Sequence, residues 1–252
     1  MDLRAGGALA GTALVTGGGR RVGAAIVRAL HRAGRNVAIH CHASVDAAEE
    51  LAAELNAARR KSAVVLRADL LSAKALQRLA QRAQAAWGRL DLLVNNASTY
   101  YETPLGTITE QAFEDLIGTN LKAPLLLSQA CAPALRAARG AIVNVSDLYA
   151  SRPLRGRAPY CAAKAGLEAA TRVLALELAP DVRVNAVAPS GILWPSDGSV
   201  DKAGQRRHLE RVPLRRLGGA ESIAEAVVYL ASPGAAFITG TTLAVDGGEG
   251  LL

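Results

Sequence analysis

Short runs of apolar, β-favouring residues alternate with longer Ala- and Leu-rich stretches, and this alternation constrains the fold more than any single motif. Thr12 to Thr16, Asn36 to His40, Ala63 to Arg67, Leu90 to Val94, Ala141 to Val145, Arg183 to Val187 and Thr242 to Val245 read as strands. Most are apolar without a break, as expected of a parallel strand covered on both faces. Helical patterns fill the intervals. The sequence therefore predicts an α/β fold, a doubly wound parallel sheet of about seven strands with right-handed crossovers. On such a sheet a ligand lies beyond the carboxyl ends of the strands.

With 252 residues, half of them hydrophobic, the chain can bury a sizeable core, and no break in composition divides it, so residues 1–252 read as one domain. The net charge of +7 comes from arginines scattered along helices, such as Arg28, Arg59, Arg78, Arg136 and Arg172, without basic blocks interleaved with aromatics. That pattern argues against a nucleic-acid surface and favours small anionic ligands. The first eleven residues make no signal peptide and no run of eighteen apolar residues occurs, so the expectation is a cytoplasmic protein without a membrane partner. Cys41, Cys131 and Cys161 are odd in number and lack metal-ligand spacing, which fits a reducing compartment, structural cysteines and no metal site.

One segment breaks the alternation. Trp194 to Gly219 carries Pro195, Gly198, Gly204, Pro213, Gly218 and Gly219, and loops of this length in a compact domain are usually functional covers or unstructured insertions. We read about residues 191–219 as a substrate-covering excursion with a short helix near Lys202 to Arg211.

The first strand runs into Val15-Thr16-Gly17-Gly18-Gly19-Arg20-Arg21-Val22-Gly23. Glycines there let the chain turn tightly and bring N–H groups and a helix N-terminus against a pyrophosphate. The end of the second strand, His40-Cys41-His42-Ala43-Ser44, lacks the acid that would hold the ribose hydroxyls of NAD, and Arg20 and Arg21 reach the same corner. NADP(H) is therefore the expected cofactor. Asp69-Leu70 at the third strand end would meet the adenine, and Asn95-Asn96-Ala97 at the fourth gives the cofactor close approach.

Tyr160 and Lys164 stand one helical turn apart, so they share a face and the cation is expected to lower the phenol's pKa from about 10. Asp147 precedes the tyrosine by thirteen residues.

These residues resemble the short-chain dehydrogenase/reductase family. Thr16-Gly17 with Gly23, Asn95-Asn96-Ala97, Asn120, Tyr160-x-x-x-Lys164, Asn185 to Pro189, and Thr239-Gly240 to Asp246-Gly247-Gly248 match its motifs in order, over nearly the whole chain. The resemblance implies a single-domain Rossmann fold with Tyr160 as proton donor. Lys164 would hold the nicotinamide ribose, and Asn120 would support a water-linked proton path. Cofactor contacts are implied at Gly17, Arg20, Arg21, Val22, His42, Ser44, Asp69, Leu70, Asn95, Ala97, Tyr160, Lys164, Pro189, Ser190 and Ile192.

The family's usual serine is replaced by Asp147. A carboxylate about 4 Å from a ketone oxygen would oppose the forming alkoxide by ~4 kcal/mol at an effective dielectric of 20, roughly a thousandfold in rate. Reduction of a C=N bond inverts the sign, because the nitrogen gains a proton. Here the chain resembles pteridine reductases, in Asp147, Arg20-Arg21-Val22-Gly23, His40 to Ser44, and Asn95 to Leu105. That likeness implies NADPH-dependent reduction of a pterin or folate-like substrate by a homotetramer. Arg21, Ser98, Tyr100, Asp147 and Tyr160 would contact substrate, and Leu193 and Trp194 offer apolar walls. Two departures stand out: Ala43 where the subfamily often has Arg, and Pro189-Ser190 where Pro-Gly is common. Two alternatives remain open: a reductase of another carbonyl or imine, with Asp147 protonated or Ser146 serving, and an NADP-binding regulatory protein with a decayed site.

Overall fold

The apolar runs pair edge to edge into one parallel sheet. In the computed structural model, which describes residues 11–194 and 201–252, the strands are β1 (Thr12–Val15), β2 (Asn36–Cys41), β3 (Ala63–Arg67), β4 (Leu92–Asn95), β5 (Ala141–Val145), β6 (Arg183–Pro189) and β7 (Thr242–Val245). Their order is β3-β2-β1-β4-β5-β6-β7, and every pair is parallel. β1, β4 and β5 are buried along their whole length, which is why they show no polar alternation. β4 begins two residues later than its apolar run suggests. The reason is Asp91, whose carboxylate takes the N–H of Thr12 at 2.7 Å at the mouth of the β1–β4 ladder.

The helices are α1 (Arg21–Arg32), α2 (Val45–Ala58), α3 (Ala73–Ala85), α4 (Glu110–Ile117), α5 (Ala123–Ala138), α6 (Ala158–Leu178), α7 (Lys202–Glu210) and α8 (Gly219–Leu230). α1, α2 and α8 bury Ile26, Val27, Leu51, Ile223 and Val227 on one face of the sheet. α3, α5 and α6 bury Leu76, Leu79, Leu127, Leu135 and Leu178 on the other. Ser72, Thr109 and Asp201 cap α3, α4 and α7 by accepting N–H groups three residues on, each worth about 1 kcal/mol. The helix expected in the 191–219 excursion is thus present as α7, while Pro195 and Gly198 lie outside the described residues, as do Met1 to Ala10.

The order in which strands are added reverses at β1, which pairs with β2 on one side and β4 on the other. Crossovers leave in opposite directions there and open a crevice at the carboxyl ends of β1 and β4. No helix among the described residues is long and apolar enough to cross a membrane.

Candidate active site

The crevice begins at the glycine turn after β1. Gly17 sits at φ +61°, and a Cβ there would lie 3.0 Å from Ala97 Cα. A Cβ on Gly23 would fall 2.0 Å from the Gly17 carbonyl, so the helix can pack this close only with glycine. The turn is pinned from below. Thr16 Oγ1 accepts the N–H groups of Asn96 and Ala97 at 2.9 and 3.0 Å, and Asn96 Nδ2 donates to the carbonyls of Thr16 and Gly17 at 2.8 and 3.1 Å. His40 Nδ1 accepts the Gly17 N–H at 3.1 Å while Nε2 faces the Ala68 carbonyl at 3.2 Å. Burial lowers the His40 pKa to about 4, so the ring is neutral with its proton on Nε2. The N–H groups of Gly19, Arg20, Arg21 and Val22 donate to no group among the described residues. They stand at the N-terminus of α1, where an anion is favoured.

Tyr160 and Lys164 project from the first turns of α6, whose start is set by Pro159. Tyr160 Oη donates to Asp147 Oδ2 at 2.7 Å, and Asp147 Oδ1 accepts the Tyr149 N–H at 2.9 Å. Lys164 is wholly buried and donates from Nζ to the Val145 carbonyl at 2.8 Å. The expected lowering of the phenol pKa is not what the geometry gives. Burial, then the charge of Asp147 and its hydrogen bond, raise Tyr160 far above its ordinary value, because the carboxylate touches the phenol while the ammonium lies 5.7 Å from the ring centre. Tyr160 is therefore held protonated. Burial also raises Asp147, against the opposing pull of the Tyr149 N–H, the phenol and Lys164, and lowers Lys164 to about 8.

Asn120 lies in a widened π-helical turn (Gly118–Lys122) between α4 and α5, a feature frequent at functional sites. Its Nδ2 donates to the carbonyls of Leu116 and Thr99, both at 2.9 Å, and its Oδ1 accepts Ser98 Oγ at 2.7 Å.

Residues 18–249 match the sequence model of a family described as enoyl-(acyl carrier protein) reductase. Pteridine reductase 1 of Leishmania tarentolae is 38% identical over 95% of this chain and 96% of its own. The chain belongs to the short-chain dehydrogenase/reductase family. It is an oxidoreductase of that family. It is also similar to L-xylulose reductase of Bos taurus, 36% identical over 98% of both chains. A 3-oxoacyl-[acyl-carrier-protein] reductase of Staphylococcus epidermidis is 35% identical over 94% of this chain and 98% of its own.

Within this short-chain reductase, one cavity of about 390 Å³ brings together Gly17, Arg20, Arg21, Val22, Ala97, Ser98, Asp147, Tyr160, Lys164, Pro189, Ser190 and Ile192. Other expected residues stand apart from it. Asn95 is buried and bonds Asn144 and Ser128, so its side chain braces β4 against β5. Leu70 is buried, and Asp69 accepts the Leu71 N–H in an exposed turn. His42 is exposed just past β2, and Ser44 lies beside the turn, 3.3 Å from where a Cβ on Gly19 would sit. Ser146, by contrast, lines the same cavity, but it is buried and its hydroxyl donates to Glu168 Oε1 at 2.9 Å.

Around the expected Tyr100, Leu193 and Trp194 stand four groups the sequence did not single out, Arg157, His208, Arg211 and Glu249. Tyr100 stands edge-on to Tyr160 at 4.8 Å between ring centres, and the Arg157 guanidinium lies 4.9 Å from the Tyr100 ring centre. Trp194 is edge-on to His208 of α7 at 5.5 Å, and its carbonyl accepts Arg21 Nη2 at 3.5 Å. Leu193 beside it is half-buried. Glu249 is buried near the chain's end, 3.8 Å from His208 Nδ1 and 3.7 Å from Arg211 Nη2, and its charge contributes to raising both Asp147 and Tyr149. Among the described residues no cluster of His, Cys, Asp or Glu would hold a metal ion.

Proposed function

We propose that this chain is an NADPH-dependent pteridine reductase that transfers hydride to a dihydropterin, dihydrofolate included, to give the tetrahydro form. The observation that carries the reading is the Asp147 carboxylate 2.7 Å from Tyr160 Oη, with Ser146 turned onto Glu168. A proton arriving on a ring nitrogen is stabilised by that carboxylate, whereas a ketone oxygen becoming an alkoxide is not.

The residues present fit the cofactor. The glycine cradle has no room for a Cβ at Gly23, donors at the start of α1 await acceptors, and no acid stands at the end of β2 before Asp46. Arg20, His42 and Ser44 flank the corner where a 2′-phosphate belongs, with Arg21 shared between phosphate and substrate. When bound, NADPH supplies the hydride. Lys164 holds the nicotinamide ribose, and Pro189, Ser190 and Ile192 line the same wall. Tyr160 Oη delivers the proton and Asp147 steadies the charge it creates. Asn120 orders Ser98 and the loop at Thr99, keeping Tyr100 at the cleft mouth. Tyr100 offers a flat face to a flat heterocycle, with Leu193 and Trp194 as apolar walls. The described part of the 191–219 excursion, α7 included, forms the substrate cover.

We also read the protein as a homotetramer. Apolar groups are exposed on both layers, Val173 and Leu176 on α6, Tyr229 on α8 and Phe237 in the segment after α8, and a tetramer of dihedral symmetry needs two self-complementary contacts.

A second reading, a reductase of another carbonyl, is favoured by the burial that raises Asp147, since a protonated acid would not oppose an alkoxide. Purified protein is incubated with NADPH and 7,8-dihydropterins or a panel of ketones while NADPH absorbance is followed. Pterin turnover is expected. Turnover of ketones alone, with Asp147→Ser harmless to it, overturns the proposal.

A further inference from the structure

The amino ends of the strands carry a second polar cavity, remote from the cleft. Its volume is about 350 Å³, and Arg35, Arg139 and Arg183 line it together with Asp91. Arg35 precedes β2, Asp91 precedes β4, Arg139 and Gly140 precede β5, and Arg183 opens β6. β6 alone runs seven residues, so the strands separate this cavity from the catalytic end by roughly 20 Å.

The charge in the cavity is unbalanced. Asp91 is engaged by Arg89 Nε at 2.9 Å and by the Thr12 N–H at 2.7 Å. Arg183 gives Nη1 to the Leu230 carbonyl at 2.7 Å and reaches the Ile238 and Ser232 carbonyls, so it serves the end of α8. Arg35 gives only Nη2, to the Ala231 carbonyl at 3.2 Å. Among the described residues its Nε and Nη1 have no hydrogen-bond partner, and both are buried in a residue that is only 6% exposed. Arg139 sits in the left-handed region at φ +49°, and its side chain makes no hydrogen bond or ion pair among the described residues. A buried guanidinium with idle donors is costly unless an acceptor reaches it, and arginine favours planar or tetrahedral oxyanions.

We propose that this cavity is a binding site for a phosphate group, borne by inorganic phosphate or by a small phosphate monoester. Arg35 supplies charge from the cavity wall, Arg139 closes over the anion from the rim, and Arg183 adds charge from the side. The cavity exceeds the volume of one phosphate, so a small organic group fits at its mouth. The strands keep occupancy away from the reacting atoms, so the site acts on stability.

The test uses the full chain saturated with NADP⁺, to keep added phosphate from the crevice, and follows thermal unfolding while inorganic phosphate or glycerol phosphate is titrated. Acetate and chloride at matched ionic strength are controls. A saturable rise in Tm of about 5 °C at a hundredfold excess over Kd is expected for the phosphates alone. A larger response to glycerol phosphate assigns the monoester, and an equal one assigns the free anion. Arg139→Asn, which tolerates the left-handed backbone, should weaken the response about tenfold in apparent Kd. Arg35→Met should abolish it while being no less stable than the parent in phosphate-free buffer. No saturable response, or the same response in Arg139→Asn, overturns the proposal. So does an Arg35→Met protein destabilised without phosphate from a parent indifferent to it, which makes Arg35 a clamp on α8.

Discussion

The two walls of the cleft are built differently. On the cofactor side, Thr16, His40 and Asn96 spend their polar atoms on backbone groups of the glycine turn and of the strand ends beside it, so the turn's shape is fixed by short-range chemistry around one crevice. On the substrate side, the contacts run between side chains from distant segments: Tyr100 with Arg157 and Tyr160, Trp194 with His208, and Glu249 with His208 and Arg211. The first wall is a backbone device that suits any dinucleotide reductase. The second is a side-chain device in which single substitutions can change the substrate. Mutations should therefore separate into those that abolish turnover with any substrate and those that redistribute it.

The largest effect belongs to the group both walls share. Tyr160→Phe removes the proton carrier and leaves the ring packing, so kcat should fall by about 10³-fold, within the range of general acid catalysis, with NADPH affinity unchanged. Stopped-flow turnover beside fluorescence titration of NADPH checks this; a fall in both together would place Tyr160 in binding. The next effect tests the contrast itself. Asp147→Ser should lower kcat/KM for dihydropterin by about 10²- to 10³-fold and raise it for ketones. If both substrate classes lose equally, the carboxylate belongs to the shared machinery and the distinction between the walls fails.

The same contrast explains what the sequence disclosed. All seven strands and the helix in the 191–219 excursion were legible, because unbroken apolar runs and turn residues are local signals. So was the assembly of Gly17, Arg20, Arg21, Asp147, Tyr160 and Lys164 around one cavity, since each sits at a strand end or on one helical face. Asn95 looked like a cleft residue yet braces the sheet, because its strand alternates faces and the motif does not say which asparagine points inward. Glu249 and Arg157 were invisible, as each meets the site only by long-range packing. Their one signal was a charge in a segment destined for burial. The direction of the Tyr160 shift was missed for a related reason. Four-residue spacing to Lys164 says nothing of how close Asp147 comes.

A pH experiment reaches the cofactor wall. Lys164 falls to about 8 in the folded chain against about 10.4 unfolded. Below pH 8 both states hold the proton and the cost of burying the charge is fully present. Between pH 8 and 10 the folded state releases it first, so the unfolded state binds more protons and stability rises with pH, by up to ~3 kcal/mol from this group. Urea unfolding of the parent and of Lys164→Met, compared from pH 7.5 to 10, should show a rise confined to the parent. The same deprotonation should weaken the hold on the ribose, so KM for NADPH should climb over that interval.

The smallest effect tests whether the substrate wall tunes the chemistry it surrounds. Glu249 faces Arg211 and His208 and adds to the forces that keep a proton on Asp147. Glu249→Gln keeps the shape and removes the charge, so Asp147 should ionise at lower pH. In the carboxylate mechanism the alkaline-to-acid profile of pterin turnover should then shift to lower pH by less than one unit, with a change in kcat of no more than about threefold at neutrality. Ketone turnover should fall, because ionised Asp147 opposes an alkoxide. A profile that does not move, with KM for pterin raised instead, would assign Glu249 to holding α7 over the substrate through His208 and Arg211, and the two walls would then differ in motion as well as in construction.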